Sequence, residues 1–153
     1  MSSENTVTVM NKKGSSILCV IDFSEGSKEA LAKAVSIASS TMSALTALYP
    51  YRLNQPRNIS DVSQWKKSIE VDASENFTRM TSTLLKESHV PCQFKAEVGF
   101  VDDRVEVFTD KHDVGLIVIS SELAHNSDGA FLEMLEKLRC PMLVVPKKII
   151  NEL

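Results

Sequence analysis

The chain has 153 residues, 43% of them hydrophobic and 24% charged, with a formal net charge of −3. That length fits one domain large enough to bury its own core. The acidic balance excludes a protein that works by broadly neutralising nucleic-acid phosphates.

Cationic runs stop at two residues (Lys12-Lys13, Lys66-Lys67, Lys147-Lys148), and no apolar run approaches the roughly 20 residues that span a bilayer. The three cysteines, Cys19, Cys92 and Cys140, are widely spaced and odd in number, which fits free thiols rather than a disulfide framework. The opening residues lack the basic start and long apolar core of a secretory signal. The expectation is a cytoplasmic protein with no membrane or nucleic-acid partner, comprising a polar tail over 1–15 and one α/β domain over 16–148.

The first element is "SILCVIDF" (Ser16–Phe23), a continuous apolar run that suits a strand buried on both faces. "DFSEGS" (Asp22–Ser27) supplies turn and cap residues. Ala30, Leu31, Ala34, Val35 and Ala38 then recur at helical spacing to about Ser40. "SALTALYP" (Ser43–Pro50) is the second strand, which the proline is expected to stop. Tyr51–Ser60 reads as a loop. From Asp61, the residues Val62, Trp65, Ile69, Ala73, Phe77, Met80 and Leu84 outline a long helix to about Glu87.

"CQFKAEVG" (Cys92–Gly99) alternates apolar and polar residues, the mark of a strand with one solvated face or an edge position. Val101, Val105 and Phe108 outline a third helix, and "VGLIVIS" (Val114–Ser120) is a fourth buried strand. Phe131, Leu135 and Leu138 outline a fourth helix, and "PMLVVP" (Pro141–Pro146) a fifth strand. Strands alternating with helices predict a parallel, doubly wound sheet with helices on both faces.

These residues carry a resemblance. "ILCVIDFSEGSKEALAKAVSIA" (Ile17–Ala38) resembles the opening strand, aspartate turn and first helix of the universal stress protein family, and "VGLIVIS" and "CPMLVVP" resemble its fourth and fifth strands. The resemblance covers about residues 16–147 and implies a five-stranded Rossmann-like sheet in the order 3-2-1-4-5. In that order the turn Asp22–Ser27 and the loop Ser120–Gly129 face each other across a crevice at the carboxyl ends of the strands. Any ligand is expected there, on Asp22, Phe23, Ser24, Ser120, Ser121, Asp128 and Gly129.

One branch of the family holds ATP with Gly-x-x-Gly, nine further residues and Gly-Ser or Gly-Thr after the fourth strand. Glycines let backbone N–H groups close on phosphates without a Cβ in the way. Here Ser120 and Leu123 stand at the first two glycine positions, and the closing pair falls on Asp128-Gly129 or Gly129-Ala130 across a shortened segment. There is no Lys or Arg between Ser120 and Glu136, whereas Glu122 and Asp128 bring carboxylates. A carboxylate beside a triphosphate with no bridging metal is repulsive by a few kcal/mol at an effective dielectric near 20. The expectation is that ATP is not bound and no cofactor is held.

Ser127 or Asp128 suits the N-cap of the following helix, and Asp22 suits a turn organised through Ser24 and Ser27. Gly115 is a further departure, standing where the family often has Asp. No nucleophile elbow or triad spacing occurs. Lys111-His112-Asp113 reads as solvated surface, His125 as a solvated loop residue and His89 as a partner for a helix C-terminus. The thiols are expected to be inert, and no residue is assigned to catalysis or to a metal. The family resemblance also implies a homodimer through the uncharged edge strand Met142, Leu143, Val144, Val145. The reading is a non-catalytic stress-response module with an unidentified protein partner. A divergent adenine-nucleotide binder or weak ATPase is the first alternative. A small-molecule sensor is the second, its crevice covered by Tyr49, Tyr51, Arg52 and Arg57.

Overall fold

The computed structural model describes residues 16–53, 61–126 and 130–147. Strand β1 (Ser16–Val20) is followed by helix α1 (Glu25–Thr41), β2 (Ala44–Tyr51), α2 (Val62–Ser88), β3 (Cys92–Val98) and α3 (Val101–Lys111). The chain continues through β4 (Val114–Ser120), a short helix α4 (Ser121–His125), α5 (Ala130–Lys137) and β5 (Met142–Val145). The five strands are all parallel, in the order β3-β2-β1-β4-β5.

The sequence explains the centre of this sheet. β1 and β4 lie innermost and are covered on both faces, so Leu18, Cys19, Val20, Ile117, Val118 and Ile119 are all fully buried. Odd-numbered residues of β1 pack with Leu31, Val35 and Phe77 beneath α1 and α2. Even-numbered residues join Val105, Phe108 and Met134 beneath α3, α4 and α5. Crossovers of one hand place α1 and α2 on one face and the later helices on the other. The chain changes direction between β1 and β4, which opens the switch point at their carboxyl ends.

Several details differ from the expectations. Pro50 does not stop β2, which runs one residue further and pairs with β3 to Tyr51. β1 ends opposite Leu48, whose carbonyl takes the Ile21 N–H, so Pro50 turns its missing donor towards a side where no strand continues. Gly115 has no partner in β1, because the ladder steps from Val114 to Leu116. A bulge there needs little side chain, which accounts for the glycine. In α5 the buried residue is Met134, while Leu135 is 38% and Leu132 66% exposed. Phe131 and Leu138 do pack against the second core.

Helix α2 follows its expected pattern, with Asp61 capping Gln64 N–H, but only Ala73, Phe77 and Thr81 are fully buried. Its first turns are tied to the sheet by Tyr51, whose hydroxyl donates to Glu70 Oε2 at 2.5 Å. Lys66 holds the same carboxylate oxygen at 3.2 Å. His89 ends this helix in the left-handed conformation, φ 58°, with its N–H on the Leu85 carbonyl.

Candidate functional site

The turn after β1 is built around one carboxylate oxygen. Asp22 Oδ1 accepts from Ser24 N at 3.0 Å, from Ser27 Oγ at 2.8 Å, and from the Ser24 hydroxyl. The Asp22 N–H in turn donates to Ser27 Oγ at 2.9 Å, and Ser24 caps α1 by accepting from Ser27 N. Burial alone would raise the Asp22 pKa, but the hydrogen bonds from Ser24 and Ser27 outweigh it and hold the carboxyl below its ordinary value. Its charge, second to burial, raises the nearby Tyr49 hydroxyl. Asp22 and Ser24 are therefore engaged with each other and with Ser27.

Phe23 packs among aromatic rings. Its ring meets Tyr49 edge-on at 4.9 Å and lies 6.5 Å from Phe94, which stacks on Phe77 at 4.6 Å. Packing claims this side chain on the α1 and α2 side of the strand ends.

Across the switch point, the expected loop Ser120–Gly129 is instead the end of β4 at Ser120 followed by the helix α4 over Ser121–His125. Ser120 is buried and its Oγ accepts from Leu123 N at 3.1 Å, capping α4. Ser120, expected at the first glycine position of the ATP motif, thus accepts a hydrogen bond from its own chain. Ser121 is half-buried, and its carbonyl faces His125 Nδ1 at 2.6 Å, so His125 is tethered to its own helix. Ser127, Asp128 and Gly129 lie outside the described residues, as does Arg57.

The structure does bring the two loops together, through Glu122. Its Oε1 would lie 2.8 Å from a Cβ placed on Gly26, and the Ser120 Cβ 3.4 Å from the same point. A carboxylate thus stands between the first turn of α1 and the end of β4, where the positive end of the α1 dipole favours it. Gly26→Ala is expected to be tolerated, within about 1 kcal/mol of wild type in urea unfolding, since the added methyl meets only the far end of a flexible side chain. A loss above that would show that Glu122 is fixed in place.

Beside this crevice is a cavity of about 460 Å³, lined by Tyr51, Arg52, Gly99, Phe100, Asp102 and Asn126 among others. The Arg52 guanidinium lies 3.7 Å from the centre of the Phe100 ring, a cation–π contact on a ring that is 53% exposed. Tyr49 stacks on Tyr51 at 5.8 Å. Three of the four residues expected to cover the crevice, Tyr49, Tyr51 and Arg52, are therefore at the strand ends. Phe100, Gly99 and Asn126 were not foreseen, although an aromatic residue directly after a strand-ending glycine is a usable signal. Gly99 has φ 145°, and a Cβ there would meet Arg104 Nε at 2.9 Å, so glycine is required.

Cys19 is buried, and Cys92 and Cys140 are half-buried. Burial raises the pKa of Cys19, with Cys92 as a secondary cause, and pushes Cys92 up to about 11. Burial also raises Cys140, outweighing a backbone hydrogen bond that lowers it. Among the described residues, no group of three or more His, Cys, Asp or Glu side chains is placed to hold a metal ion. No helix there is long and apolar enough to cross a membrane.

Residues 15–146 match the sequence model of the Universal stress protein family. The chain belongs to that family. No curated protein matches it. Among solved structures, a universal stress protein from Burkholderia pseudomallei is similar at 20% identity and TM-score 0.66, covering 88% of this chain and 97% of that one. UspA from Lactobacillus plantarum is similar at 18% identity and TM-score 0.69, covering 87% and 98%. A universal stress protein from Archaeoglobus fulgidus, solved in complex with dAMP, is similar at 16% identity and TM-score 0.61, covering 84% and 95%. At these identities the likeness speaks for the shared fold, and the five-stranded order is the family's.

Proposed function

We propose that this universal stress protein acts by binding rather than turnover, as a dimeric cytoplasmic regulatory module that does not hold ATP. The observation that argues against ATP is Glu122, a carboxylate set between Gly26 and Ser120 at the switch point. A polyphosphate entering there would meet a like charge, with no Lys or Arg from Ser120 to Glu136 to offset it. Ser120 Oγ already accepts from Leu123 N, and Asp22 Oδ1 from Ser24 and Ser27.

The melting temperature in MgATP tests this. A ligand at one hundred times its Kd adds about 2.7 kcal/mol, worth roughly 5–10 °C in a domain of this size. The expectation is no shift at millimolar MgATP; a rise of several degrees contradicts it.

A second reading is favoured by the cavity under Arg52 and Phe100, whose volume of about 460 Å³ falls in the range of small-ligand sites. On that reading the protein senses a small molecule, and the dAMP complex of the Archaeoglobus relative makes a nucleoside monophosphate the first compound to try. A native mass spectrum of the protein as purified separates a loaded cavity from an empty one.

A further inference from the structure

A cavity of about 620 Å³ lies at the opposite end of the sheet from the switch point. It opens between the carboxyl ends of α3 and α5 and the starts of β4 and β5. Its charges are sorted by wall. Glu106, Asp110 and Asp113 come from α3 and its exit, whereas Lys137 and Arg139 come from α5 and its exit. Lys111 is the one cation on the acidic side. None of these side chains forms a salt bridge among the described residues, although they line a common space.

The acidic wall is reinforced by the backbone, because the last carbonyls of α3 point out of its carboxyl end and carry partial negative charge. His112 sits at that end, its ring stacked on Phe108 at 4.1 Å and its Nδ1 3.1 Å from the Phe108 carbonyl. Nδ1 donates in that contact, because a carbonyl oxygen only accepts. His112 is exposed, as expected of solvated surface, and these contacts anchor its ring to α3.

We propose that this cavity is a binding site for a small zwitterion, an amino acid or dipeptide-sized solute. The ammonium lies against Glu106, Asp110 and Asp113, and the carboxylate against Lys137 and Arg139. A guanidinium pairs a carboxylate through two parallel N–H donors, which fixes the orientation of the ligand. Opposed charged walls favour a ligand with both charges over one with either alone. An anion is drawn to one wall and repelled by the other, and a cation likewise. The site does not depend on what occupies the switch point.

The test is a titration followed by NMR of the full chain, with 6-aminohexanoate and its shorter ω-amino acid analogues as probes. Hexanoate and hexylamine serve as single-charge controls. The expected result is saturable binding of at least one ω-amino acid, with resonances of His112 and its neighbours shifting, and at least tenfold weaker binding of both controls. Lys137→Ala with Arg139→Ala is expected to lower the affinity at least tenfold, and Asp110→Asn with Asp113→Asn to do the same. All four positions are exposed, so the fold survives, as an unchanged melting temperature verifies. No saturation by any ω-amino acid, equal binding of a single-charge control, or undiminished binding by either double variant would overturn the proposal.

Discussion

Asp22→Ala is expected to lower folding stability by about 2–3 kcal/mol at neutral pH, the loss typical of hydrogen bonds to a charged group in a partly buried site. The carboxylate gathers three donors from Ser24 and Ser27, and without it both hydroxyls lose their shared acceptor. The damage extends to α1, because Ser24 also caps that helix through Ser27 N. With a urea m-value of about 2 kcal/mol per molar, the midpoint falls by roughly 1–1.5 M.

The pH dependence gives this prediction a second readout. Hydrogen bonds hold the Asp22 pKa below its ordinary value in the folded state. Its contribution is therefore complete above the unfolded value, about 3.9, and is lost as pH falls through the folded value. The stability gap between wild type and Asp22→Asn, which lacks the charge but keeps the shape, is expected to narrow as pH is lowered from 7 towards 3. Urea midpoints across that range check the sign. A gap that is constant with pH would mean the carboxylate charge is not what organises the turn.

Val144→Glu is expected to convert a dimer into a monomer. β5 pairs with β4 on one side, and among the described residues no strand pairs with its other edge. The four residues Met142, Leu143, Val144 and Val145 carry no charge, unlike β3 at the far edge with Lys95 and Glu97. An apolar edge invites pairing with a second chain unless something blocks it. Pairing across a two-fold axis would place two copies of Val144, 37% exposed in the single chain, within one interface. A glutamate there introduces two unpaired carboxylates, and burying each costs several kcal/mol, enough to weaken association by about 100-fold or more. Sedimentation equilibrium at micromolar concentration should return twice the 16.9 kDa chain mass for wild type and the single mass for the variant. A monomeric wild type would overturn the proposed dimer.

The fold was legible because strands buried on both faces read as unbroken apolar runs. "VGLIVIS" is such a run, and every residue from Ile117 to Ser120 is buried. The Asp22 turn was legible too, since short polar residues at a strand end have few other uses. Glu122 was legible as a charge but not as a contact. Its approach to Gly26 joins segments far apart in sequence, and no local pattern encodes it. Helix α4 was missed because five residues are too few to show a helical period, although Ser120 three places before Leu123 is a cap spacing. The Arg52–Phe100 pair likewise depends on β2 and β3 ending side by side.

The proposed exclusion of ATP rests on the Glu122 carboxylate beside Gly26 at the switch point. Isothermal titration of the purified protein with ATP in excess Mg²⁺ tests it most directly. The account predicts no saturable heat up to millimolar nucleotide. One site per chain with a micromolar Kd would contradict it.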